Sequence, residues 1–233
     1  MQLLQLTRSH LRFVRHGRYV AARLDRSQRT TLAQSARDAT EAVLASGRAR
    51  EDVGFGLQDQ LALRDSADDA LDSAAQDVRR ILAARSADAT ETAPYKEIFP
   101  QGIGYYTAAT LGTQVQRYTE LIQRLENYLP EDDPVRVDIT PILRGGLEDF
   151  EIGAKAVKDH RIKIAISNTE LLTAKEDYNR VMERIYGLLL ADGIGRANAE
   201  RFFPRLRASS SSSDDVDLDD LNDDVTEDDD TEA

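Results

Sequence analysis

The sequence of 233 residues contains no cysteine and only three histidines. The first absence removes disulfide frameworks, cysteine-ligated zinc fingers, iron–sulfur clusters and thiol nucleophiles together. The second bears on the metal sites that helical bundles build. A di-iron or di-manganese carboxylate centre requires Glu-x-x-His on two inward faces. The residues three positions before His10, His16 and His160 are Thr7, Phe13 and Val157, and none is a carboxylate. The three histidines are therefore expected at the surface or rim, with no metal and no cofactor.

Other absences narrow the function further. There is no GxSxG elbow and no Walker loop. The glycine-bearing turns GIGYYT (102–107) and DGIG (192–195) have no strand before them, so they fail the dinucleotide fingerprint. They read as a helix start and a helix stop. The longest uncharged run, Ile98 to Gln116, holds Pro100, three glycines and three glutamines, which makes it a poor membrane span. The opening MQLLQLTRSHLRFVR has neither the apolar core nor the cleavage site of a signal peptide. These features set the expectation of a cytoplasmic, non-enzymatic protein with no small-molecule substrate.

Charge is present in abundance and is segregated. Residues 1–37 carry eight arginines and one acid, a net +7, and residues 38–133 carry −9. Residues 134–213 carry +2, and residues 214–233 carry twelve acids and no base. The first 213 residues thus sum to zero, and the net charge of −12 resides entirely in the last twenty. A Ser run followed by DDVDLDDLNDDVTEDDDTEA cannot bury enough apolar surface to offset ordering entropy, so 208–233 is expected to be a disordered tail. Val216, Leu218, Leu221 and Val225 punctuate its acids, the pattern of a docking segment.

Alternating strand patterns are nearly absent and helical periodicity is widespread. Four helices are expected, at roughly 9–46, 56–85, 107–129 and 146–190, within a domain spanning 1–207. Ser9 caps the first and Gly47 stops it. The second carries Leu57, Leu61, Leu71, Ala75, Val78 and Leu82 on one stripe. The third fills heptad positions from Ala108 and Leu111 through Leu129. Pro130, Pro134 and Pro141 break the chain before the fourth, and Gly193 or Gly195 supplies its left-handed cap. The prolines and glycines of 94–104 make a connection, yet Tyr95, Ile98, Phe99, Ile103, Tyr105 and Tyr106 are apolar enough to pack across a bundle end. The fold class expected is all-α: an elongated, coiled-coil-like antiparallel four-helix bundle.

Two surfaces carry the functional expectation. The fourth segment is apolar on two sides and bears polar residues at heptad a positions, so Arg161, Ile164, Asn168, Leu171 and Lys175 form a candidate association helix. Alternatively, those polar positions face solvent and the stripe drifts to Ile162, Ile166, Thr169 and Leu172. The second surface is the arginine stripe Arg8, Arg12, Arg15, Arg26 and Arg29, suited to an anion or an acidic partner. The competing expectation pairs these arginines internally with Asp65, Asp68, Asp69, Asp72 and Asp77. The reading is a helical scaffold or adaptor that forms a homo-oligomer or binds a protein partner. The alternative is a nucleic-acid-associated protein autoinhibited by its acidic tail.

Overall fold

The structure, a computed structural model, describes residues 1–204. The expected tail, 208–233, lies outside them. Among the described residues there is no strand, and the class is all-α. Seven helices follow in order: α1 (His10–Arg26), α2 (Thr30–Ala83), α3 (Tyr95–Ile98), α4 (Gly104–Thr107), α5 (Gln114–Tyr128), α6 (Pro134–Ala191) and α7 (Arg196–Glu200). A single 3-10 turn, Ala89–Glu91, precedes α3. The chain divides into two compact units, Met1–Arg50 with the chain from Ser167 onward, and Glu51–Ile166.

The helix boundaries differ from the expected ones for local reasons. Gly47 does not stop a helix; it lies within α2, where its missing side chain makes room for the ring of His10. The break falls instead at Ser27–Arg29. Gln28 takes φ +57°, with Gln28 N–H bonded to Asp25 O at 2.8 Å and Arg29 N–H to Leu24 O at 3.0 Å. That pair of bonds is a Schellman closure built without glycine. Gly193, at φ +79°, closes α6 in the expected way.

The third expected helix loses its first turns. Thr110 and Thr113 bond to one another through their hydroxyls at 3.0 Å, and Thr113 N–H reaches Thr110 O at 2.9 Å. Hydroxyl bonding of this kind competes with helix formation, so Ala108 and Leu111 lie outside α5 and Leu111 is exposed. The fourth begins twelve residues early. Pro134 needs no N–H at a first helical position, and Asp133 accepts from Val135 N–H at 2.9 Å. Pro141 is carried inside α6 instead of ending a segment.

In the unit of 1–50 and 167 onward, Phe13, Val20 and Leu24 of α1 meet Ala33, Ala36 and Val43 of α2. They share this core with Tyr178, Met182, Ile185 and Leu189 of α6, and with Phe203. Close approach of α1 to α2 depends on Gly17. A Cβ there would fall on Thr40 Oγ1 and lie 3.0 Å from Tyr178 Cε2. The segment before α1 is tied down by Lys175 Nζ donating to Leu6 O at 3.1 Å and Asn179 Nδ2 to Leu4 O at 2.9 Å.

In Glu51–Ile166, Leu71, Ala75, Val78 and Leu82 of α2 pack with Tyr118, Leu121, Ile122 and Leu125 of α5 and with Ile139, Leu143 and Phe150 of α6. The aromatic connection joins this core as expected from its composition: Ile98, Phe99 and Tyr106 are buried, and Tyr106 O–H donates to Ile98 O at 2.8 Å. Here α2 and α6 run antiparallel, with Gly56 near His160, Arg64 near Gly153 and Leu71 near Gly146.

Two glycine substitutions should move stability in opposite directions. Gly17→Ala overfills the α1–α2 contact and is expected to cost about 1–3 kcal/mol. Gly54→Ala, inside α2 with open space around it, is expected to gain up to about 1 kcal/mol. Urea unfolding midpoints of the two variants check both signs.

Candidate functional site

The outward face of α1 follows from its inward one. Phe13, His16, Gly17, Val20, Ala21 and Leu24 are buried at spacings of three and four, which leaves Leu11, Arg15, Arg18, Tyr19, Ala22, Arg23 and Arg26 facing solvent. Arg12 is half-buried on the same helix, and Arg8 lies just before it. Among the described residues, the side chains of Arg8, Arg12, Arg15, Arg18, Arg23 and Arg26 have no hydrogen-bonding or ionic partner. Arg29, expected in the same stripe, is held by Asp192 instead.

Four of the five acids proposed as internal partners, all but Asp69, bond to other groups. Asp65 pairs with Arg64 at 2.6 Å and Asp77 with Arg80 at 2.9 Å. Asp68 accepts from Gln114 Nε2, and Asp72 accepts from Tyr118 O–H. Burial raises the pKa of Asp68, and the neighbouring charges of Asp72, Asp69 and Asp65 raise it further. Burial raises Asp72 as well, against the lowering effect of the Tyr118 bond, while Tyr118 itself is pushed far up by burial and by that carboxylate. Asp68 and Asp72 thus serve the α2–α5 contact, while Asp65 and Asp77 pair within α2. Among the described residues the arginine surface is thus without ionic partners, and it is broader than the sequence stripe. Arg18 and Arg23 were missed there, although Arg18 stands three residues after Arg15 and Arg23 three before Arg26.

A groove of about 490 Å³ lies beside this surface, lined by Arg18, Ala22, Asp25, Arg37, Asp38 and Glu41. Asp25 and Arg37 form an ion pair across it. Both signs line its walls, so it favours neither an anion nor a cation.

The candidate association helix is split by the structure. Leu171 and Lys175 are buried within the chain's own core region, and Ile164 is half-buried. Arg161 is exposed; Asn168 is exposed and accepts from Arg50 Nε at 2.6 Å. Of the polar a positions, Lys175 is thus internal while Arg161 and Asn168 face outward. In the middle of α6 the exposed large apolar side chains are Ile152, Ile162, Ile166 and Leu172; nearer its ends Val137, Ile142, Leu188 and Leu190 are exposed as well. Of the middle group, Ile162, Ile166 and Leu172 belong to the drifted stripe, with Thr169 exposed beside them. No residue of 51–66 on α2 is buried, nor any of 158–166 on α6, and Phe55, Leu63, Ile152, Ile162 and Ile166 are each more than half exposed.

His16 corrects another expectation. It is 6 % exposed, not a rim residue, because its position continues the apolar spacing of Phe13, Val20 and Leu24. Its Nδ1 lies 2.7 Å from Tyr178 Oη, and its Nε2 has no partner among the described residues. Burial lowers its pKa from 6.5 to about 4. Among the described residues no group of three or more acids and histidines is placed to hold a metal, and no helix is long and apolar enough to cross a membrane. No family model, curated protein or solved structure matches the chain.

The sign of the His16 effect is fixed. Between pH 6.5 and 4 the unfolded chain binds a proton at this imidazole and the folded chain does not, so stability falls as pH falls through that window. The full effect is about 3 kcal/mol. An NMR titration should show one imidazole titrating near pH 4, and urea unfolding of the wild-type chain should lose more stability between pH 7.5 and 4.5 than that of His16→Phe, by an amount of about 2–3 kcal/mol.

Proposed function

We propose that the protein is a non-enzymatic helical scaffold or adaptor that associates with a second copy of itself through the paired section of α2 and α6 at 51–66 and 150–166. The observation behind this reading is the lack of cover over that section. Two helices alone bury little, and five large apolar side chains, Phe55, Leu63, Ile152, Ile162 and Ile166, project from them into solvent. The charges fit a partner of the same kind. Residues 51–65 of α2 carry a net −3 and residues 155–163 of α6 a net +3. Asp52, Asp59, Lys155, Lys158, Arg161 and Lys163 have no ionic partner among the described residues. Two copies related by a two-fold axis place α2 of one against α6 of the other, an isologous contact. The elongated antiparallel four-helix bundle expected from the sequence is made of this chain's own helices and forms part of this proposal. A cytoplasmic location belongs to the same proposal.

Light scattering of the full chain should give a dimer or larger species at both low and high salt, because apolar burial survives screening. Ile152→Lys with Ile162→Lys should weaken association at least about tenfold with thermal unfolding little changed, since exposed positions tolerate substitution within about 0.5 kcal/mol. A wild-type monomer at micromolar concentration in both salts would refute self-association.

The unpaired arginines favour a second reading, in which the α1 surface binds the phosphate backbone of nucleic acid. In the full chain carrying Asp219→Asn, Asp220→Asn, Asp223→Asn and Asp224→Asn, a labelled oligonucleotide should bind at low salt. The slope of log K against log salt should fall by about 1 for each of Arg15→Ala, Arg18→Ala and Arg26→Ala that contacts a phosphate. Absence of binding at low salt would dispose of this reading.

A further inference from the structure

We infer that the acidic segment 214–233 of the chain docks in cis on the outward face of α1. The inference rests on the second reading only in taking that face to be a polyanion-binding surface. Three observations on different levels point to this occupant.

The first is charge. Six arginines on or next to α1 lack partners among the described residues, and twelve acids without a single base lie in 214–233. No other stretch of the chain has that density of one sign.

The second is tethering. The described chain stops one residue after Phe203, whose ring centroid lies 6.3 Å from that of His16 on α1 and 5.9 Å from that of Tyr186. Phe203 is buried there, so the tether to 214–233 starts beside α1. From Pro204 to Asp214 there are ten residues, enough to span about 35 Å. A helix of 17 residues is about 25 Å long, so every arginine of α1 is within reach. A short tether places the segment at roughly millimolar effective concentration, which turns weak exposed ion pairs into an occupied contact.

The third is the apolar component. Leu11 and Tyr19 stand exposed among the arginines of α1. Val216, Leu218, Leu221 and Val225 stand among the acids. Each surface thus offers apolar side chains within a field of one charge, and the two fields are opposite. An external nucleic acid would meet the arginines and leave Leu11 unmatched, whereas this segment matches both.

Docking of this kind makes the segment a competitor for any polyanion that seeks α1.

The absence of cysteine makes the test direct, because labels go only where they are placed. The full chain carrying Ala22→Cys and Thr226→Cys is labelled with a donor–acceptor dye pair. Energy transfer should be high at about 0.05 M salt and fall at least about twofold at about 1 M, as expected for exposed charges under screening. The same loss should follow from Arg15→Glu, Arg18→Glu and Arg26→Glu combined, at low salt, with the helical signal by circular dichroism retained. Transfer that is unchanged by salt and by the charge reversals overturns the inference. Transfer seen only when singly labelled chains are mixed also overturns it, since the contact would then lie between chains. Titrating unlabelled oligonucleotide into the labelled chain should lower transfer as the segment is displaced. Oligonucleotide that binds without lowering transfer refutes the shared surface. Failure of oligonucleotide to bind even with the tail aspartates neutralised removes the second reading alone, while the salt and charge-reversal results continue to decide the docking.

Discussion

The close antiparallel pairing of α2 with α6 in Glu51–Ile166 places a glycine at three of its contacts, most tightly at Gly153. Gly153 sits where a Cβ would lie 3.0 Å from the Cα of Arg64. Gly146 stands against the Leu71 side chain and Gly56 against the His160 ring. These three contacts fix the register of the two longest helices, and register decides which residues look inward. Once it is set, Leu71, Ala75 and Val78 face Leu143 and Phe150, and α5 and the aromatic connection have a floor to pack on. Glycine in a helix interior costs about 1 kcal/mol relative to alanine, so its recurrence at these contacts is a cost accepted for proximity.

The polar groups that enter the core are arranged around that floor. Asp72 and Asp68 would be expensive to desolvate as isolated anions, and Tyr118 and Gln114 of α5 donate to them. Arg124 performs a similar task at the aromatic connection, pairing with Glu120 at 2.6 Å and donating to Glu97 O at 2.7 Å, which holds α3 to α5. Tyr105 joins the same group by donating to Glu120 at 2.9 Å beneath the Arg117 guanidinium. Ionic partners are consumed inside this unit for packing.

The sequence was informative wherever apolar spacing was regular. The cores around Leu71–Leu82, Tyr118–Leu129 and Tyr178–Leu189 were legible from spacing alone, as was the packed aromatic connection. Helix ends were less legible. Gly47 looked like a stop because glycine serves both as a left-handed cap and as a point of close contact, and spacing cannot tell which. Gln28 hid a real stop because its left-handed φ is uncommon for its residue type. The α1 arginine surface was visible in outline. Whether its charges were already paired was not, because that depended on partners distant in sequence. His16 was misplaced by attention to metal spacing, although it continues the stripe of Phe13, Val20 and Leu24.

The uncovered stretch at 51–66 and 158–166 has a consequence for how firmly different parts of the molecule are held. Local opening is easiest where few apolar contacts must be broken, so the amides of this stretch are the ones expected to exchange with solvent ahead of those beneath Phe150 or Tyr178. A partner seated there would supply the missing contacts and slow that opening. Anything that binds only the folded chain raises its stability with concentration. A thinly covered part of the fold is thus the part through which a binding event would be felt as added resistance to unfolding.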